Sequence, residues 1–500
     1  MIVLDYQPLS IVEDVGFKIL VNKLNKKYTL PSRRTLSEKL LPRYYMRIKQ
    51  ELQNSLHQVE YISVTCDYWK GQNNRTYLSM TGHFILDFSL QSKTLATVEV
   101  KISHTGTNTA AAITEVCNEF DILSKVVTVV TDSAANMKKA INDDLQKHHH
   151  PCVAHTVNLT VNDAIASVEG LKELLLKCRT IVTHFKQSSV ASYKLKEKQG
   201  ELNLTELVLK QDIVTRWNST YIMLERLLTL RQPICLALME LDRAPENLSA
   251  DDWTVIKDVL PILQPFLQLT EELSGDKYVT MSTIVPLIRG LRLAIREASP
   301  ISFIGQSLQI SCVDYVTRRL GSIESNKIVA KATFLDPRFK KAAFGQDDNA
   351  RNAQQWVTEE LTSLLARHNE EGATVDTERT HSSFRVPNRE MSLWSFFDER
   401  ASEQRPTPIA TAIVMLRQYM ETPLFNRKKD PMEYWRDHER TFPELYKMAK
   451  KYLCIPATSV PSERLFSKAG YVLSERRNRL SSDKMNEIIF LNHNIETQKK

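Results

Sequence analysis

Asp67, Asp132 and Glu463 are acids far apart in the chain, and each closes or opens a segment that could carry an active-site edge. Asp67 ends the apolar run 61–66, Asp132 ends the run 126–131, and Glu463 lies in Pro461-Ser462-Glu463-Arg464-Leu465-Phe466-Ser467. Carboxylates at strand ends and at a helix start can hold two divalent cations for phosphoryl chemistry, which makes nucleic acid the first substrate to consider. Each acid also has an ordinary explanation. Asp after a strand is a common turn residue, Asp132 could cap the next helix, and Glu463 could complement a helix dipole. It is their co-occurrence that points to chemistry.

Three further groups could serve the same substrate. Thr215-Arg216-Trp217-Asn218-Ser219-Thr220 combines a cation, a large aromatic and several hydrogen-bonding groups. Such a set can grip a phosphate and stack an unpaired base, or else form a core Trp with an Arg ion pair. Arg476-Arg477-Asn478-Arg479 could neutralise phosphates or simply be a solvated basic turn. Cys152-Val153-Ala154-His155 follows His148-His149-His150. One Cys and one His supply half of a zinc site, and no second pair lies nearby, so no zinc site is expected. The three histidines are expected in an exposed loop, and His155 either beside the Asp132 strand or in a purely structural place.

The elements that must position these groups follow from periodicity. Runs rich in Val, Ile, Thr and aromatics predict strands over 60–66, 76–87 and 90–103, with a turn signal at 71–74. A helix near 107–120, a strand at 125–131, a helix at 133–146 and a short strand near Cys152-Val153 come next. This is an α/β order in which a crossover can set the Asp132 strand beside the Asp67 strand. Residues 1–57 read as short basic helices and 156–365 as almost wholly helical. Leu171, Leu174, Leu175 and Cys178 share one face, as do Leu224, Leu227, Leu228 and Leu230 with adjacent turns. Residues 366–390 are polar and read as a mobile linker. Helices resume at Leu393-Trp394.

Composition narrows the class. The chain has 500 residues and a formal charge of +7, with ten Lys/Arg against four Asp/Glu in residues 1–50. Residues 464–484 carry six against two. Basic ends around a near-neutral body suit a polyanion, and equally suit two solvated helical faces. Seven cysteines without a C-x-x-C pair argue against a disulfide framework. No apolar run approaches a membrane span, and the start lacks the pattern of a signal peptide. A nuclear or cytosolic protein is expected.

Taken together, the motifs closely resemble the hAT superfamily of DNA transposases, in particular the branch with a BED-type zinc finger and its domesticated vertebrate members. The resemblance rests on Thr65-Cys66-Asp67-Tyr68-Trp69, Thr131-Asp132-Ser133-Ala134-Ala135-Asn136-Met137, the 152–159 block, the 215–220 block and Phe334-Leu335-Asp336-Pro337-Arg338-Phe339-Lys340. Its most specific stretch is 452–467, which looks like the family's C-terminal dimerisation region. The resemblance implies an RNase H-like α/β core (58–160) split by a large all-α insertion (161–365). It further implies an N-terminal helical segment (1–57), the polar linker (366–390) and a C-terminal helical dimerisation region (391–500) that completes the core. Asp67, Asp132 and Glu463 would be its metal-binding triad, with Mg²⁺ or Mn²⁺ as cofactor. Trp69, His155, Arg216 and Trp217 match family positions near the DNA, and Arg476, Arg477 and Arg479 would add phosphate contacts. Family members usually carry a BED finger ahead of the helical segment with which this sequence begins, so the finger is either lost or cut off.

Two functions follow from the resemblance. One is a nuclear, homodimeric or higher-order transposase that cuts and joins DNA. The other is a domesticated, catalytically silent regulator of transcription or chromatin. SUMO-ligase activity is suggested for the second by family analogy alone.

Overall fold

The computed structural model describes residues 1–71, 74–379, 407–472 and 480–495. Near the N-terminus lie helices α1 (Val15–Leu24) and α2 (Leu41–His57), the latter with Pro42 in its first turn, where a missing N–H costs nothing. Three strands come next: β1 (Ile62–Lys70), β2 (Thr76–Leu86) and β3 (Ser89–Glu99). Helix α3 (Gly106–Glu119), capped by the Thr105 side chain, leads to β4 (Val126–Thr131). A short helix α4 (Ala135–Lys139) winds into a wider π turn and gives way to β5 (His148–Pro151).

The five strands form one sheet in the order β3-β2-β1-β4-β5. β1 pairs antiparallel with β2, and β2 with β3, whereas β4 runs parallel to β1 and to β5. In the parallel pair Val64 faces Val129 and Thr65 faces Val130. Continuing that register brings Asp67 level with Asp132, both at the carboxyl ends of their strands. This is the edge where open α/β sheets bind ligands.

Strand alternation decides which side chains face which layer. Ile62, Val64 and Cys66 enter a core shared with α2, α3 and a C-terminal helix. Ser63 and Thr65, on the opposite face, are fully buried beneath a segment from far along the chain. Asp67 continues that second face.

From α5 (Val153–Ser167) onward the elements among the described residues are helices. α6 (Leu171–Gln187), α7 (Ser189–Glu201), α8 (Trp217–Thr229), α9 (Arg231–Met239), α10 (Ala250–Leu273), α11 (Ile284–Glu297), α12 (Phe303–Leu320) and α13 (Lys327–Leu335) share one continuous apolar core. The expected faces pack inward: Leu171, Leu174, Leu175 and Cys178 are buried, as are Leu224, Leu227 and Leu230. The long helix α14 (Asp347–Arg379) comes next, and the chain closes with α15 (Pro408–Glu421), α16 (Pro431–His438), α17 (Pro443–Leu453), α18 (Val460–Val472) and α19 (Ser482–Asn494).

Some sequence expectations are corrected here. His148, His149 and His150 form the edge strand β5, with His150 fully buried, because the backbone pairing of β4 outweighs their polarity. Val153 opens a helix and is not a strand residue. The expected helix over 133–146 is two short pieces. The first part of the expected linker, to Arg379, is the end of α14. The apolar stretch at Leu393-Trp394 lies outside the described residues.

The 334–340 block joins the helical body to the C-terminal helices. Asp336, fully buried, accepts two-pronged donation from the Arg338 guanidinium (2.9 and 2.7 Å) and a bond from the Ser282 hydroxyl (2.6 Å). The Lys340 ammonium donates to the Tyr419 carbonyl (2.7 Å) and to the Thr422 carbonyl and hydroxyl (2.5 and 2.7 Å) at the C-terminus of α15, where helix carbonyls lack partners. The Phe334 carbonyl accepts from the Tyr419 hydroxyl and the Pro337 carbonyl from the Phe425 N–H. Asp336→Ala leaves the Arg338 charge buried and unpaired. It is expected to cost about 3–5 kcal/mol of stability, measured by thermal or urea unfolding.

Candidate active site

Asp67 and Asp132 reach the carboxyl edge of the sheet through β1 and β4, and Glu463 reaches it through a chain of tethers. The segment preceding α18 is fixed at almost every residue. The Ala457 N–H donates to the Thr280 hydroxyl (3.0 Å), and its carbonyl accepts from the Val153 N–H (3.1 Å). The Ser459 N–H donates to the Cys152 sulfur (3.3 Å), and the Thr458 hydroxyl to the Leu273 carbonyl (3.3 Å). Ser462 and Thr65 hydroxyls are 2.5 Å apart, and Thr65 also meets the Thr81 hydroxyl at 2.5 Å. Ser462 is thus pinned two residues before Asp67, and Glu463 in the first turn of α18 comes to the same edge. One turn on, Phe466 stacks on Trp69 at 5.7 Å.

Electrostatics report the meeting of the acids. Burial, then the charge of Glu463, then that of Asp132 push the Asp67 carboxyl up to about 8, against the pull of the Tyr68 N–H. Burial also raises Glu463, while Arg216 and His155 pull it back and Asp132 pushes it further. All five charged or ionisable groups therefore surround one place. A cavity of about 360 Å³ opens beside the two aspartates, lined by Asp67, Asp132, Trp69, His104, Asn136 and Met137 among others but not by Glu463, Arg216 or His155.

The expected DNA-contacting residues divide. His155, in the first turn of α5, and the exposed Arg216 both act on Glu463. Trp69 lines the cavity, but its ring is stacked between Tyr77 (4.8 Å) and Phe466, and its buried indole N–H has no hydrogen-bond partner. Trp217 is a core residue here: it is fully buried, edge-on to Phe266 at 6.2 Å, and offers no face to a base. Burying so large an apolar surface in the helical core outweighs exposing it. Arg476, Arg477 and Arg479 lie outside the described residues.

Sequence reading missed the residues that hold these groups. Asn158 accepts from the Trp217 N–H (3.1 Å) and donates to the Thr215 carbonyl (3.1 Å), clamping the turn that carries Arg216. Buried Asp212 anchors the same turn by accepting a bidentate pair from Arg179 (3.1 Å to one oxygen and 2.8 Å to the other) and a bond from the Thr220 hydroxyl (3.2 Å). The nearby Asn and Thr in the 152–159 and 215–220 blocks were the only available signal.

Residues 65–154 match a family described as the ZBED1 RNase-like domain, 150–262 the ZBED1 RNase-like helical domain, and 415–495 the hAT family C-terminal dimerisation region. The chain belongs to the hAT superfamily. It is 28% identical over 99% of its length to zinc finger BED domain-containing protein 4 of Homo sapiens, covering 43% of that protein. A Zea mays relative named for the AC transposase is 26% identical over 98% of this chain and 63% of its own length. A Talaromyces stipitatus relative named for transcriptional regulation is 24% identical over 96% of this chain and 59% of its own. The chain thus spans about half the length of the curated relatives it matches.

This hAT chain offers hard oxygen donors, the type Mg²⁺ and Mn²⁺ prefer. Among the described residues, no three His, Cys, Asp or Glu side chains converge tightly enough to hold a metal ion as they stand. Mutual repulsion of like charges opposes such convergence until cations neutralise it. The donor types fit such an ion in kind, and the Asp67 shift reflects burial first and the neighbouring charges second.

The folded protein holds the Asp67 proton up to about pH 8, whereas the unfolded chain releases it near pH ~3.9. The native state therefore binds more protons between those values, and stability falls as pH rises through that window. Asp67→Asn is expected to flatten this slope and to raise the melting temperature of metal-free protein at pH 7 by a few degrees, seen in melts from pH 4 to 9 with chelator present.

Proposed function

We propose that this chain is a nuclear, DNA-binding, homodimerising hAT protein that cleaves and transfers DNA strands with Asp67, Asp132 and Glu463 as its metal-holding acids. The observation that carries the reading is that Glu463 and Asp132, 396 and 65 residues away in sequence, lie near enough to add their charges to the burial that raises the Asp67 carboxyl. Divalent cations held there would activate a water or 3′-hydroxyl and stabilise the leaving oxygen. Asp67 and Asp132 supply oxygens from rigid strands, and Glu463 supplies the third from the start of α18. Arg216 and His155 would attract the phosphate that approaches those acids, and the Asn158 and Asp212 clamps keep Arg216 on that side.

The proposed architecture is an RNase H-like core in two parts, 58–160 and the C-terminal segment carrying Glu463. The helical body between them is its insertion. The Thr65–Ser462 contact supports this reading, because it joins β1 to α18 across the whole intervening chain.

A silent regulator is the second reading. The burial of Trp217 favours it, since the base-handling position is closed in this structure, and one relative is named for transcriptional regulation.

Nicking and strand transfer on hairpin-forming DNA ends with Mg²⁺ or Mn²⁺ separate the two. Wild type is expected to be active, and Asp132→Asn and Glu463→Gln to lose on the order of 10³-fold or more, since acids acting as one unit fail together. If wild type and Asp132→Asn are equally inert while both bind DNA, the strand-cleavage reading fails. Asn158→Ala is expected to weaken DNA binding through a misplaced Arg216 and to lower its salt dependence, read in binding titrations across salt.

A further inference from the structure

The three consecutive histidines 148–150 stand on a strand that runs beside the one bearing Asp132. The two aspartates are held differently. Asp67 lies inside its own strand, since β1 continues to Lys70 and pairs Asp67 with Ser79. Asp132 has no such support. The ladder between β4 and β5 closes at Thr131, whose carbonyl accepts from the Cys152 N–H (2.7 Å). Residues 132–134 belong to no helix or strand and link β4 to α4. A metal-holding carboxylate must be placed to within about 0.5 Å, so on an unpaired link other groups have to fix the backbone.

Side chains do so. The Asp132 carbonyl accepts from the Thr131 hydroxyl (2.8 Å) and from His149 Nε2 (3.2 Å), and Nε2 lies 2.9 Å from the Thr131 oxygen. A carbonyl only accepts, so Nε2 carries the ring proton that reaches it, and the Thr131 oxygen can share that proton. The Asp132 carboxylate in turn accepts from the Ala134 N–H (3.2 Å), the turn an Asp makes with the backbone two residues on. Holding the carbonyl fixes the peptide plane after Asp132, and with it the direction in which the carboxylate leaves the chain. His149 is itself set in place. Strand pairing puts it opposite Val129, and its backbone N–H donates to the Asn142 side-chain oxygen (3.3 Å). Alternation turns His148 and His150 to the other face. His148 is exposed, and His150 is buried with neither ring nitrogen hydrogen-bonded. His149 is the member of the run whose ring meets Asp132.

We propose that His149 is the positioning residue for Asp132: its ring N–H and the Thr131 hydroxyl together hold the Asp132 carbonyl, so that the carboxylate is aimed for a divalent cation. The inference rests on the strand-cleavage reading and adds to it the group that orients one of its acids. His149 acts through Asp132, as the outer hydrogen-bond partners of metal-holding residues do, and loss of such a partner typically costs about 10- to 100-fold in metal affinity or activity.

Three variants of the full chain test this. His149→Leu keeps much of the bulk and removes the ring N–H. His149→Gln restores an N–H at a similar reach, and His148→Ala alters the exposed neighbour on the same strand. His149→Leu is expected to weaken Mn²⁺ binding, read by the electron paramagnetic resonance of the free ion, and to slow DNA nicking, each by about 10- to 100-fold. DNA binding is expected to stay unchanged, and amide exchange over residues 131–139 to quicken. His149→Gln is expected to recover most of each loss, which a mere contribution to strand stability would not allow, and His148→Ala to match wild type. His149→Leu with wild-type Mn²⁺ affinity, or His149→Gln no better than His149→Leu, overturns the proposal. A wild type that neither nicks DNA nor binds Mn²⁺ sinks the strand-cleavage reading instead. Faster exchange in His149→Leu, reversed in His149→Gln, then still supports His149 as the residue that holds Asp132, and unchanged exchange rejects it. Should His149→Leu fail to fold, Thr131→Val removes the other donor to the same carbonyl. The same losses are expected of it, and wild-type behaviour overturns the proposal.

Discussion

The burial of Asp67 at the carboxyl edge of the sheet, under the charges of Glu463 and Asp132, is the constraint on which much of this structure depends. Such an arrangement opposes its own formation. Burial first, and then the charges of Glu463 and Asp132, raise the Asp67 carboxyl to about 8, and other contacts must offset that cost of ionisation. The parallel register of β1 and β4 fixes two of the acids, because a sheet pairing cannot slide without turning every side chain to the wrong face. The third is fixed by the tethers of 457–462, which bond to β1, to the start of α5 and to the loop after α10. The buried hydroxyl contact between Thr65 and Ser462 ties β1 directly to α18.

That arrangement explains why the helical body is so extensively welded to the C-terminal helices. α18 holds its position only if the chain before it does. Asp336, Arg338 and Lys340 tie α13 to α15 and to Phe425, and α17 then delivers the strip that carries Glu463. Lys340 does this from a left-handed backbone conformation (φ 48°), which a non-glycine residue adopts only when its surroundings enforce it. The block 334–340, which chemistry alone left without a role, is the joint of the molecule.

The local elements were legible from residue order. β-branched runs gave β1 to β4 within a few residues, and leucine spacing gave the inward faces of α6 and α8. β5 was not legible, because three histidines are poor strand formers in isolation and pair only because β4 presents an open edge. Neither was the place of Trp217. An Arg-Trp pair reads equally as a nucleic-acid grip and as a core anchor, and only the packing of α8 against α10 turns the ring inward.

The sequence by itself determined the types of the site residues, the strand ends that bear Asp67 and Asp132, and the blocks shared with the hAT superfamily. Those are properties of neighbouring residues, carried by side-chain chemistry and by periods of two and 3.6. Tertiary structure decided that the charges of Glu463 and Asp132 act on Asp67, that Arg216 acts on Glu463 while Trp217 is buried, and that the 452–459 stretch is buried within one chain. These are contacts between segments hundreds of residues apart. They arise from the packing of two cores and from buried hydroxyl, sulfur and amide groups finding partners, and no local pattern encodes which partner each will find.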